Sequence, residues 1–213
     1  MASTIEKTTS FPDFSTQATD SSLKTTSVDS RYSDPDLLIR EYFTSSSAQR
    51  AKLRKLIFQK IKLWQSVLAI LAWSIRKEVS DAYDGAVDLL AECTDIYFLQ
   101  SAAQYLESAS LLWGASSSNI GNWSRLDDSW EVLIKGIACA YQIPAQERFK
   151  LILNIVQISN RRIIKAAIID ALVILSDEMD AQAIKNVISR FASLHEADYY
   201  IRNYAEEALQ GLV

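Results

Sequence analysis

The chain has 213 residues, a formal net charge of −4, 49% apolar residues and only 5 glycines and 3 prolines. That length holds one good core, or a smaller core and a tail. So few turn residues exclude a sheet protein of many short strands, and the acidic balance counts against a dedicated nucleic-acid binder, which carries a basic excess.

Met1 to Ser33 is close to half Ser and Thr. Such a stretch buries too little apolar surface to offset the entropy of ordering it, so 1–33 reads as a disordered tail. Its apolar islands, Phe11-Pro12-Asp13-Phe14 and Leu23, leave open a short docking motif or an inert tail. Ser33-Asp34-Pro35-Asp36 starts the folded part, with a capping side chain, a first-turn proline and an acid at the positive end of the helix dipole.

Ala48 to Val79 reads as a long helical stretch or two abutting helices, with Leu53, Ile57, Ile61, Trp64, Leu68, Leu71 and Ile75 at three- and four-residue steps. Its first half carries a basic stripe of Arg50, Lys52, Arg54, Lys55, Lys60 and Lys62, and its second half is nearly all apolar. The stretch 48–75 suits either a buried helix with a solvated basic edge or a helix lying on an anionic membrane surface.

On the next helix Asp81, Asp84, Asp88, Glu92 and Asp95 form an acidic stripe at three- and four-residue spacing. Mg²⁺ and Ca²⁺ want oxygen ligands converging from several directions, and a straight stripe diverges. A solvated face, or one laid against the basic stripe or a basic partner, is the better expectation.

Ile96 to Trp113 predicts another helix, and 114–122 reads as a linker between an N-terminal helical half, 34–113, and C-terminal repeats, 123–213. Trp123 to Tyr141 follows, with Trp130, Leu133, Ile134, Ile137 and Tyr141 expected to face the core. Asp127-Asp128 invite an acid–base reading, but adjacent helical residues point about 100° apart and no nucleophile accompanies them. Pro144 opens a helix ending near Ser159-Asn160. Arg161 to Leu175 is apolar on nearly every side, hence enclosed between neighbours or presenting Ile169 and Val173 as a docking strip.

The last two helical stretches, near Asp180–Phe191 and Asp198–Leu212, complete a repeat. Laid over each other, Lys165 meets Arg202, Asp170 meets Glu207, Ala171-Leu172 meets Ala208-Leu209 and Leu175 meets Leu212. An offset of roughly 37 residues falls in the range of helical solenoids. Glu206, Glu207 and Gln210 suit a terminal capping repeat that must face water.

In its last third the chain resembles the HEAT-repeat family. Asp198, Ile201-Arg202, Ala205 and Ala208-Leu209 fit the family's pattern of a turn acid, an apolar-basic pair and an Ala-Leu ending; Arg161 and Lys165 replace the acid and the arginine in the preceding copy. The resemblance implies an all-α fold, an α-solenoid of antiparallel helix pairs, in which that aspartate and arginine tie neighbouring repeats together. It also implies a scaffold for macromolecular partners, the second helix of each pair lining the concave side. A minority of such proteins act on bilin attachment, a role no residue here singles out.

Cys93 and Cys139 lack any CxxC spacing and read as free, buried thiols in a reducing compartment. His195 is the single histidine, too few for zinc chemistry or a triad, so no catalytic residue, metal or cofactor is expected. There is no phosphate loop, GxGxxG or GxSxG. With no signal peptide and no run of ~18 uninterrupted apolar residues, a cytoplasmic location is expected. The leading expectation is a non-enzymatic adaptor or regulatory subunit binding another protein through Arg162, Lys165, Ile169, Val173, Arg202 and Glu206. Membrane attachment through 48–75 and a HEAT-like lyase or chaperone are the alternatives.

Overall fold

The computed structural model describes residues 35–59, 64–68, 71, 82–114, 120–158 and 161–212. All belong to the second of two units into which the chain divides, Met1–Arg31 and Tyr32–Val213. The expected tail at 1–33 therefore lies outside the described residues, as do Lys60, Lys62 and Asp81.

Among the described residues the secondary structure is helical throughout. We number the helices α1 (Pro35–Thr44), α2 (Ser47–Phe58), α3 (Ala82–Ala91), α4 (Ile96–Gly114), α5 (Ile120–Cys139), α6 (Ala145–Ile158), α7 (Arg162–Leu175), α8 (Ala181–Ala192) and α9 (Tyr199–Gly211). Residues 64–68 and 71 are also helical. None of these helices is long and apolar enough to cross a membrane.

Local chemistry explains several of the ends. Asp180 caps α8 by accepting from the Gln182 N–H, and Asp198 caps α9 by accepting from the Tyr200 N–H. Each satisfies one amide that the first helical turn leaves unpaired. Pro144 stands just before α6, its carbonyl taking the Glu147 and Arg148 amides. The long stretch from Ala48 does stop: α2 closes at Phe58. The linker is shorter than its composition suggested, because Gly114 ends α4 and Ile120–Asn122 already belong to α5. Tyr141 lies beyond α5 and is exposed, which corrects the expectation that it faces the core.

Each odd-numbered helix from α3 onward packs on the next odd one: α3 on α5, α5 on α7, α7 on α9. Helices α4 and α6 meet each other, and α8 packs chiefly on α9. One apolar cluster runs from Leu68 through Leu90, Trp130, Ile152, Ile168 and Ile188 to Leu212, spanning both sides of 114–122. The residues on either side of that stretch share a core.

Helices α3 and α5 approach closely at Gly136. A Cβ on Gly136 of α5 would fall 2.8 Å from Leu90 Cδ1, and closer still to its Cβ, so only glycine lets the two helices approach this far. Gly136→Ala is expected to cost about 1–3 kcal/mol through overpacking. Gly211→Ala, with nothing within 4 Å of its Cβ position, should lose nothing. Denaturant midpoints of the two variants check the contrast.

A second, smaller cluster joins α1 and α2 to α3. Leu38, Ile39, Tyr42, Leu53, Ile57 and Val67 enclose Leu89, while Ala86, Val87 and Leu90 of the same helix face the main core. Tyr42 donates its hydroxyl to the Gly85 carbonyl at 2.8 Å, and burial pushes its pKa up to about 12.

Candidate functional site

Helix α7 is packed on four neighbours, α5, α6, α8 and α9. Of its fourteen residues, Ile164, Lys165, Ala167, Ile168, Ile169, Ala171, Leu172 and Leu175 are buried. Its nearly all-round apolarity is thus explained by neighbours on several sides. Ile169, expected in a docking strip, is fully buried and cannot meet a partner here; Val173 is half-buried.

Polar ties cross every junction of the odd-helix row. Between α3 and α5, Tyr83 donates to Glu131 at 3.0 Å, and Lys135 stands over the Tyr83 ring. Burial, then Glu131, pushes the Tyr83 pKa upward. Between α5 and α7, Asp127 is paired with Arg161 at 2.6 Å. From α7, Arg162 reaches Asp198 and Lys165 reaches Glu196, each at 2.6 Å, and Asp170 accepts from Tyr204 of α9. That last bond lifts the tyrosine to about 12.

Lys165 was expected on the surface; it is buried and spent on Glu196. Burial works to raise the Glu196 pKa, but the Lys165 hydrogen bond and the Asp198 amide hold it below the usual range. Asp198 is held low chiefly by the Arg162 hydrogen bond. The turn acid of the second repeat copy is therefore tied to Arg162 of α7.

These ties draw the first turn of α7 against the α8–α9 turn and the start of α9. That end is the most conspicuous surface of the fold. Among the described residues seven large apolar side chains are exposed, and four are here: Ile163 (43%), Leu194 (89%), Tyr199 (68%) and Tyr200 (53%). Guanidinium groups lie over both tyrosine rings, Arg162 on Tyr200 and Arg202 on Tyr199, each 5.6 Å from the centroid. Tyr200 also stacks on Tyr204 at 5.9 Å. Arg162 and Arg202 were expected at a binding surface; Tyr199, Tyr200 and Leu194 were overlooked, though two tyrosines opening a capped helix signal an aromatic face. Glu206 is exposed one turn beyond Arg202.

Compared with protein-family models, with curated proteins and with solved structures, the chain matches none.

The acidic stripe lies partly against the basic one. Asp84, Asp88, Glu92 and Asp95 are exposed, but Glu92 pairs with Arg54 of α2 at 3.3 Å. Arg50 turns back to the Ser45 and Phe43 carbonyls at 3.0 and 3.3 Å, leaving Lys52 and Lys55 as exposed bases of α2. Among the described residues no cluster of His, Cys, Asp and Glu has the arrangement of a metal site. Cys93 is buried, and burial pushes its thiol up to about 11, away from the range of a nucleophilic thiolate. Cys139 is half-buried, and His195 is exposed in the α8–α9 turn.

Two polar residues that a surface-minded reading passes over are structural. Arg148 is fully buried, and its guanidinium binds the Ile143 and Ala138 carbonyls and the Glu178 carboxylate. Asp127 is buried too, with Oδ2 on Arg161 and no hydrogen-bond partner for Oδ1. Burial pushes this carboxyl up to about 6, against the pull of Arg161. The neighbouring Asp128 is also raised, by burial and then by Glu131.

Proposed function

We propose that this chain is a non-enzymatic scaffold, a HEAT-like α-solenoid that holds another protein at the end formed by the starts of α7 and α9 and the turn between α8 and α9. The observation that carries the reading is the gathering of four exposed large apolar side chains at that one end, with two arginines lying over the tyrosine rings. Monomeric surfaces scatter such residues singly, and a contiguous patch of them marks an interaction site. Tyrosine and arginine are also the residues that dominate binding energy at protein interfaces. The row α3–α5–α7–α9, each helix meeting the next but one, supports a repeat scaffold, as does the roughly 37-residue internal similarity. The polar ties across its junctions hold the start of α9 against α7, which presents the patch on packed helices rather than on a free strand of chain.

A photo-crosslinking side chain placed at Tyr200 tests this. In cells it is expected to trap one second protein in higher yield than the same group at Tyr97, an exposed tyrosine on α4. Equal yields from the two positions would contradict the assignment of the surface.

A further inference from the structure

We infer that the partner presents an acidic segment with interspersed apolar side chains to the Tyr199–Arg202 end of α9. This rests on the protein-binding reading above and names the chemistry of what is bound.

The charge balance of this end opposes that of the chain. Overall the protein is acidic, at −4. Within the α8–α9 turn, however, the described carboxylates are spoken for, Asp198 by Arg162 and Glu196 by Lys165, and Glu206, one turn further along α9, is the nearest exposed acid to Arg202 in sequence. Arg190, in the last turn of α8, and Arg202, in the first turn of α9, have no carboxylate within ion-pair distance among the described residues. Along the chain, these two guanidinium groups thus come before and after the most exposed apolar residue among those described, Leu194. A positive rim of this kind attracts acidic segments and repels basic ones, which sets specificity and association rate more than affinity.

Arg202 is held over the Tyr199 ring, 5.6 Å from its centroid, and no carboxylate among the described residues takes up its N–H donors. Its fork matches a carboxylate in two parallel hydrogen bonds, and holding it in place beforehand reduces the entropy lost on binding. Arg162 stands the same way over Tyr200, with Nε already on Asp198. Tyrosine and arginine together also suit single-stranded nucleic acid, whose bases stack on aromatic rings. One observation favours a peptide: Leu194 and Ile163 add aliphatic surface that apolar side chains fill and nucleotides do not.

The test is a selection of random displayed 12-residue peptides on the intact chain, with poly-dT as a parallel ligand. The enriched pool is expected to hold more Asp and Glu than Lys and Arg, together with Leu, Ile or Phe. Its binding should fall at least tenfold in Arg190→Ala/Arg202→Ala, fall less in Arg202→Lys, and weaken as salt rises. An enriched pool that is neutral or basic, yet lost in Tyr199→Ala/Tyr200→Ala, overturns the acidic partner and leaves the surface assignment standing. A pool indifferent to both double variants overturns both. Failure to enrich any sequence, or poly-dT binding that displaces the peptides, also overturns the inference.

Discussion

Arg148→Ala is expected to destabilise the fold by about 3–5 kcal/mol, the cost of breaking a buried, hydrogen-bonded charge network. Arg148 has no exposed surface. Its Nε donates to the Ile143 carbonyl at 2.9 Å, Nη1 to the Ala138 carbonyl, and Nη2 to Glu178 Oε2 at 2.6 Å. One side chain on α6 thereby holds the end of α5, the turn that follows it and the turn after α7. Alanine would leave two carbonyls without their donor and a void in place of the guanidinium. Glu178 is about a third exposed and can turn to water, so most of the loss comes from the carbonyls and the void. Against a total stability of about 5–15 kcal/mol, the loss is large. Arg148→Lys keeps the charge but not the fork, and should recover less than half of it. Chemical denaturation of the three proteins gives the comparison; a loss under about 1 kcal/mol for alanine would show that Arg148 does not staple these elements.

The second large effect depends on pH. Asp127 has a folded-state pKa of about 6, above its ordinary value, because burial outweighs Arg161. A carboxyl that binds its proton more tightly when folded adds stability below its unfolded pKa of about 3.9, and that stability is lost as pH rises through 6. Each pKa unit is worth about 1.4 kcal/mol, so about 2–3 kcal/mol should disappear between pH 4 and pH 7.5. Asp198 and Glu196 are held low and act in the opposite sense. They cancel when the parent is compared with Asp127→Asn. The stability difference between the two proteins should therefore shift by about 2–3 kcal/mol across that range, with Asn gaining as pH rises. A difference that stays constant would mean the carboxyl titrates in its ordinary place.

Much of the fold was legible because periodicity and caps are local. The three- and four-residue steps marked the helices, and Asp180 and Asp198 marked two of their starts. The pairing of Lys165 with Arg202 in the repeat matched helices, α7 and α9, that pack together. Side-chain placement was harder, since a polar residue within an apolar register has two meanings. Arg148 precedes Ile152 and Ile155 by four and seven residues, Asp127 precedes Trp130 and Ile134 by three and seven, and Lys165 precedes Ile169 and Leu172 by four and seven. All three are buried and paired across helices. The spacing was visible, but the partners that make burial tolerable lie 30 to 34 residues away in sequence. Ile169 was misplaced for the converse reason: only the packing of α7 on four neighbours shows that Ile169 lies on a covered side of the helix. The exposed cluster of Tyr199, Tyr200, Leu194 and Ile163 depends on the same long-range packing, because it forms only once Arg162 and Lys165 have met the α8–α9 turn.

The surface at the start of α9 is best tested by the affinity of the crosslinked partner for two double variants. Tyr199→Ala/Tyr200→Ala should weaken binding at least ~30-fold, the loss expected when a central interface tyrosine is removed. Tyr97→Ala/Tyr141→Ala, which removes two exposed tyrosines elsewhere, should change it less than ~2-fold. Equal losses from the two pairs, or none from the first, would contradict a partner held at that end.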